Sequence, residues 1–384
     1  MLSSGIKFIN YKIKKKNLAI KKKLKILIKE NNEILRSLSK NYKNSFDIEK
    51  INRYKKFLNY RVIGMGGSTL GTQAIYNFLN EKINKKFTFV DNLQANKIIV
   101  NQKKNINLIV SKSGNTIETI VNTNILVKKK DKNIFITEDR NSYLYLLAKK
   151  LKAEIIHHNN FIGGRYSVLS EVGMLPAELM GLNSKSFKQY NYLIKNKKFL
   201  NALVSNVCST LHYVKNKKFN SIILNYDEKS LNLFNWYQQL IAESLGKKKK
   251  GVLPIVSNMP KDNHSVMQLY LDGFKNNFFT FFYVQDNKSH KVNNKLLHSS
   301  QNYLRNKDLS KIIYAQKKAT ENVFKIKNLP FRSFEIKKRD EKTLGELFTF
   351  FILETILIGK SMNLNPYDQP AVELIKKETK KLLI

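Results

Sequence analysis

Four stretches of this chain place together residue types that can move a proton or hold an anion. Residues 232–246, NLFNWYQQLIAESLG, carry Leu233, Trp236, Tyr237, Leu240 and Ile241 at helical spacing. Glu243 falls at the edge of that apolar face, in the last turn, where the helix dipole opposes its charge. A carboxylate so placed suits a general base, the plainer alternative being a semi-exposed acid paired with one of lysines 247 to 250. In residues 161–167, FIGGRYS, a glycine pair precedes Arg165. Such a pair permits close backbone approach and can hold a guanidinium where an oxyanion develops, unless it is only a turn with a surface arginine. Residues 111–116, SKSGNT, follow the apolar run NLIV and precede a helical pattern. Ser111, Lys112, Ser113 and Thr116 therefore sit at a helix N-terminus, where unpaired N–H groups and the dipole favour a phosphate; a capped loop without ligand is the alternative. His264, in KDNHSV, precedes a further helix and can exchange a proton near neutral pH, although a lone histidine is more often structural.

A second glycine-rich loop, GMGGSTLG at residues 64–71, supplies Gly66, Gly67 and Ser68. It invites a dinucleotide reading, but Thr69 stands where the third glycine of G-x-G-x-x-G belongs, and Asp91 lies too far downstream. The loop fits better as close backbone approach to a small ligand. His157 and His158 have no acidic partner at a ligand-like spacing, so no metal site is expected. Cys208 is the only cysteine, which excludes an intramolecular disulfide and fits a reducing compartment.

These groups need elements to position them. From residue 60 short apolar runs alternate with helical patterns: RVIGM, a helix from Thr69, FTFV, KIIV, NLIV, a helix from Thr116, NIFIT, a helix from Ser142 and EIIHH. That alternation predicts an α/β fold with parallel sheets covered on both faces and ligands at the carboxyl ends of the strands. A second series follows: a helix around residues 199–214, SIILNY, a helix over 230–245, VLPIV and FFTFFYV. Residues 285–339 are polar and weakly patterned apart from a helix over 308–323. Two helices end the chain, a buried one over 341–362 and another from Gln369, with Pro366 between them. The expected divisions are a helical segment at 1–50, a first α/β domain at 51–185, a second at 186–340, and terminal helices at 341–384.

Lys and Arg number 69 against 29 Asp and Glu, a formal charge of +40. Charge alone points to nucleic acid or an anionic surface, but the basic residues are spread along the chain and no basic-aromatic motif accompanies them, so neither a specific nucleic acid nor a membrane partner is expected. No apolar run has signal-peptide or membrane-spanning length, which fits a cytoplasmic location.

Taken in order, VIGMGGSTLG, VSKSGNTIET, FIGGRYSVLSEVG, YQQLIAESLGK, DNHSVMQ and GKSMNLNPYDQPAVELIK resemble the phosphoglucose isomerase family, built on tandem sugar-isomerase (SIS) domains. The resemblance implies two SIS-type three-layer domains and cofactor-free, metal-free interconversion of glucose 6-phosphate and fructose 6-phosphate through an enediolate. It implies Glu243 as the base and Arg165 as the stabiliser of the enediolate. His264 would open the ring, with Lys376 at the ring oxygen. Gln369 would sit at the phosphate with Ser68, Ser111, Lys112, Ser113 and Thr116, and Gly66 and Gly67 would line the substrate. It further implies a homodimer in which His264 crosses to the partner's site. Acceptance of mannose 6-phosphate as well, or a non-catalytic sugar-phosphate-binding role, are the alternatives.

Overall fold

Apolar runs buried on both faces belong to parallel sheets sandwiched by helices. Ile106–Val110 is such a run, with every residue buried. The computed structural model describes residues 2–13, 18–95, 105–286 and 289–384. Among them ten strands form: β1 (Ile6–Ile9), β2 (Asn59–Gly64), β3 (Lys86–Val90), β4 (Ile106–Val110), β5 (Lys132–Thr137), β6 (Glu154–His157), β7 (Asn220–Asn225), β8 (Leu253–Asn258), β9 (Asn277–Val284) and β10 (Phe331–Ile336). The expected strand KIIV lies outside the described residues.

Two five-stranded sheets result, in the orders β3-β2-β4-β5-β6 and β8-β7-β9-β10-β1. All pairs in the first sheet are parallel, as are those from β8 to β10 in the second. The same winding order over four strands makes the lobes topological repeats. Their fifth strands differ. The first sheet ends on parallel β6, whereas the second is closed by β1 from the other end of the chain, antiparallel to β10 with Ile6 opposite Ile336.

Two expectations are corrected here. Residues 1–50 are not wholly helical: helices Leu18–Lys29, Glu33–Ser37 and Ile48–Lys55 follow a strand. The weakly patterned stretch 285–339 contains β10, an interior strand of the second sheet. Its sequence, FRSFEI, hides it because Arg332 and Glu335 are buried polar residues. Arg332 donates to Thr280 Oγ1 at 2.9 Å, to Asn206 Oδ1 at 2.8 Å and to the Glu354 carboxylate. A charge inside a sheet is tolerable once paired and hydrogen-bonded in this way.

The helix Glu341–Ser361 is the core helix that its apolar run predicts, buried continuously from Thr343 to Gly359. Against it, and against Leu70–Phe78 of the first lobe, packs the helix Leu231–Leu245, which carries Glu243. The candidate base thus stands on a rigid element held by both lobes. Among the described residues no helix is long and apolar enough to cross a membrane.

Candidate active site

Arg165 decides the layout of the site. It lies in the short 3-10 segment Gly164–Leu169 and is 1% exposed. Its guanidinium donates from Nε to Ser244 Oγ at 2.9 Å, from Nη1 to Glu243 Oε2 at 3.1 Å and to Gln369 Oε1 at 2.7 Å, and from Nη2 to the carbonyls of Pro366 at 2.7 Å and Asp368 at 3.1 Å. A planar fork saturated on all sides cannot rotate, which is why arginine and not lysine suits this position. The surface-turn alternative for Arg165 is therefore excluded. So is pairing of Glu243 with the neighbouring lysines, since the partner of its Oε2 is Arg165.

Close backbone approach brings these residues together. A Cβ on Gly67 would lie 2.2 Å from the Gly164 carbonyl carbon and 2.5 Å from Arg165 N. Only glycine lets the loop after β2 meet the loop after β6. Gly66 has φ +52°, and a Cβ there would stand 2.8 Å from Gln239 Nε2. Gln239 in turn donates to Glu243 Oε1 at 2.8 Å, so each carboxylate oxygen of Glu243 accepts one fixed hydrogen bond. Glu243 keeps 30% of its side chain exposed and faces a cavity of about 730 Å³ shared with Gln369. Sequence reasoning missed Gln239; its position four residues before Glu243, one helical turn away, was the available signal. It also missed Tyr166, whose buried hydroxyl donates to the Pro366 carbonyl at 2.8 Å and tightens the link between the arginine loop and the segment bearing Gln369. Burial pushes the Tyr166 hydroxyl pKa up, with Arg165 opposing.

The anion loop lies at the carboxyl end of β4, before the helix Ile117–Leu126. Thr116 is its N-cap but makes no capping hydrogen bond; its Oγ1 meets Ser111 Oγ at 3.0 Å instead. The first amides of the helix are thus left to other acceptors, as an anion site requires. Gly114 takes φ +64°, with Ser142 Oγ only 2.0 Å from where a Cβ would be. Lys112 Nζ stands 3.6 Å from Glu138 Oε1, burial lowering its pKa and Glu138 opposing that. Ser113 Oγ accepts from Asn115 N at 3.3 Å, and Ser68 lies half-buried at the end of Gly66–Ser68.

Two expected residues stand apart. His264 is exposed in the turn Lys261–His264. Lys376 is exposed on Val372–Leu382 and pairs with Glu373 at 2.6 Å. Within one chain neither bonds to Glu243, Arg165 or Gln369.

The sequence profile of phosphoglucose isomerase matches residues 27–383. The chain belongs to the phosphoglucose isomerase family. A glucose-6-phosphate isomerase from Methanocaldococcus jannaschii is 33% identical over 357 residues, covering 86% of each chain. One from Campylobacter jejuni is 31% identical over 346 residues, covering 85% of each. Among solved structures, a hypothetical protein from Thermus thermophilus superposes with a TM-score of 0.83 at 21% identity, covering 95% of this chain and 94% of its own. A glucose-6-phosphate isomerase from Chlamydia trachomatis gives 0.71 at 19% identity, covering 88% and 72%. At those identities the structures establish the fold, and the phosphosugar-isomerase architecture expected from the motifs is the one observed.

Proposed function

We propose that this chain interconverts glucose 6-phosphate and fructose 6-phosphate by proton transfer through an enediolate. The observation that carries the reading is the buried Arg165 fork, which ties Glu243 and Gln369 together beside a sugar-sized cavity. The phosphate would be anchored by Ser111, Ser113 and Thr116 at the uncapped helix end, with Lys112 and Ser68 beside it. Glu243 would remove the proton from C2 and return it at C1 on the same face. Negative charge developing on the enediolate would be held by Arg165, whose fixed position avoids reorganisation at the moment of transfer. Gln239 would hold the Glu243 carboxylate at the angle that serves both carbons.

His264 and Lys376 act in ring opening in this reading, His264 arriving from the partner subunit of a homodimer. Their exposure in the single chain supports that assembly. So does Val372–Leu382, which buries none of its residues and exposes Val372, Leu374, Ile375 and Leu382. A cytoplasmic location accords with a sugar-phosphate substrate.

The test is conversion of fructose 6-phosphate by purified protein. Wild type is expected to be active and Glu243→Gln to lose at least about 100-fold in kcat. Mixing Glu243→Gln with His264→Ala protomers is expected to restore activity, because a hybrid dimer holds one intact site. An inactive wild type refutes the isomerase reading; failure of the mixture, with hybrids present, refutes the crossing of His264.

A further inference from the structure

We propose that Lys248 and Lys249 form an anion-recruiting subsite at the mouth of the catalytic cavity, which captures the dianionic phosphate of the sugar before it settles in its anchor. The inference rests on the isomerase reading above and concerns how substrate reaches that site. Lysines 247 to 250 follow directly on the helix bearing Glu243 and line the cavity that Glu243 and Gln369 share. They divide into two pairs.

The outer two, Lys247 and Lys250, are engaged. Lys247 Nζ meets Asp368 Oδ1 at 2.8 Å and donates to the Asn365 carbonyl, while Lys250 Nζ donates to the Met362 carbonyl at 3.2 Å. They fasten the turn to the segment that carries Gln369. The inner two, Lys248 and Lys249, are exposed and, among the described residues, make no side-chain hydrogen bond or ion pair. Their charge is available to a visitor.

The backbone of this turn is left-handed at both positions. Lys248 and Lys249 have φ of +51° and +56°, and the turn is closed by Lys247 N to Lys250 O at 3.0 Å and Lys250 N to Lys247 O at 2.9 Å. Two consecutive left-handed residues in a two-residue turn are the geometry that asparagine and glycine adopt most easily. Most other side chains resist it. Asparagine is plentiful in this chain, yet lysine occupies both positions. Lys152 and Lys217 take the same left-handed conformation in turns elsewhere, so what sets Lys248 and Lys249 apart is that both stand unpaired and exposed at the rim of the cavity that Glu243 and Gln369 line. The acids on the cavity wall do not cancel them, since Asp368 is paired with Lys247 and Glu243 with Arg165.

The experiment compares kcat and KM for fructose 6-phosphate at low and high ionic strength. Lys248→Gln/Lys249→Gln is expected to raise KM about three- to tenfold at low salt with kcat held within about twofold, the defect shrinking as salt screens the site. Lys248→Arg/Lys249→Arg should keep the wild-type KM. Lys248→Asn/Lys249→Gly, which relaxes the turn, should show the same KM defect with a raised melting temperature, separating charge from damage to the fold. As a control, Lys129→Gln/Lys130→Gln removes equal charge from the exposed turn before β5, at the amino edge of the first sheet, and should leave KM unchanged. An unchanged KM in the Gln pair, or an equal rise in the control, overturns the subsite. If wild type proves inactive the isomerase reading falls instead. The subsite is then judged by calorimetric titration with inorganic phosphate, whose affinity must drop in Lys248→Gln/Lys249→Gln.

Discussion

Replacing Gly67 by alanine should disable the site without touching any group that carries chemistry. The new methyl would lie 2.2 Å from the Gly164 carbonyl carbon and 2.5 Å from Arg165 N, where ordinary contact starts at 3.4 Å. Both obstructing atoms are backbone, so no side chain can swing away, and one of the two loops must retreat by about 1 Å. Arg165 moves with its loop. Its bonds to Glu243 at 3.1 Å and Gln369 at 2.7 Å would then stretch beyond hydrogen-bonding reach. A misplacement of about 1 Å in a catalytic constellation costs on the order of 100-fold in rate, and the overpacking itself about 1–3 kcal/mol in stability. The assay is fructose 6-phosphate turnover beside a thermal melt. Gly163→Ala is the matched comparison, since a Cβ there meets only Tyr166 Cδ2, at 3.8 Å. If Gly67→Ala keeps kcat within about threefold of Gly163→Ala, the glycine contact does not position Arg165 and the reasoning fails.

Two further perturbations separate binding from fold chemistry. Gly114→Ala places a Cβ 2.0 Å from Ser142 Oγ at a φ of +64°, distorting the anion loop; KM for the sugar phosphate should rise about tenfold or more while kcat changes little, as steady-state kinetics will test. Lys188 is the pH probe. Burial lowers its pKa to about 7 from an ordinary 10.5, with Glu171 partly opposing. Between those values the unfolded chain binds the proton that the folded chain has lost, so stability rises with pH from about 7 to 10.5, by at most about 1.4 kcal/mol per unit. Lys188→Met removes that contribution, and melts across this range should show a flatter pH dependence than wild type; parallel curves would refute the assignment.

Most of the first lobe was legible because its strands are apolar runs and its helices begin at hydroxyl or amide residues, as Ser142 illustrates by capping Tyr143–Lys150. The site was legible in parts. Glu243 and Arg165 carried their chemistry in their local pattern, but the bond between them spans 78 positions, and no spacing rule reports a partner so distant. Gln239 was overlooked because a glutamine on an amphipathic helix is ordinarily unremarkable. β10 was missed for a different reason: Arg332, Ser333 and Glu335 read as solvent-facing in the sequence, whereas all three are buried, Arg332 and Glu335 through tertiary ion pairs. His264 and Lys376 are exposed and stand apart from Glu243 in the single chain, and in the proposed homodimer His264 would come from the partner subunit.

The pairing of β1 with β10 also sets an order of events during synthesis. Residues 6–9 leave the ribosome more than 300 positions ahead of their partners at 333–336. At roughly 5–20 residues per second that is an interval of about 20–60 s. Throughout it Ile6 and Phe8 have no sheet to join, and a short apolar strand in that condition invites pairing with other chains. Lys7 sits between them and later finds Glu335 at 2.8 Å across the finished pair. Until then its charge serves as a guard against self-association. The closing of the second sheet is therefore a late event, and a nascent chain stalled before β10 would hold a completed first lobe beside a second one still missing its last two strands.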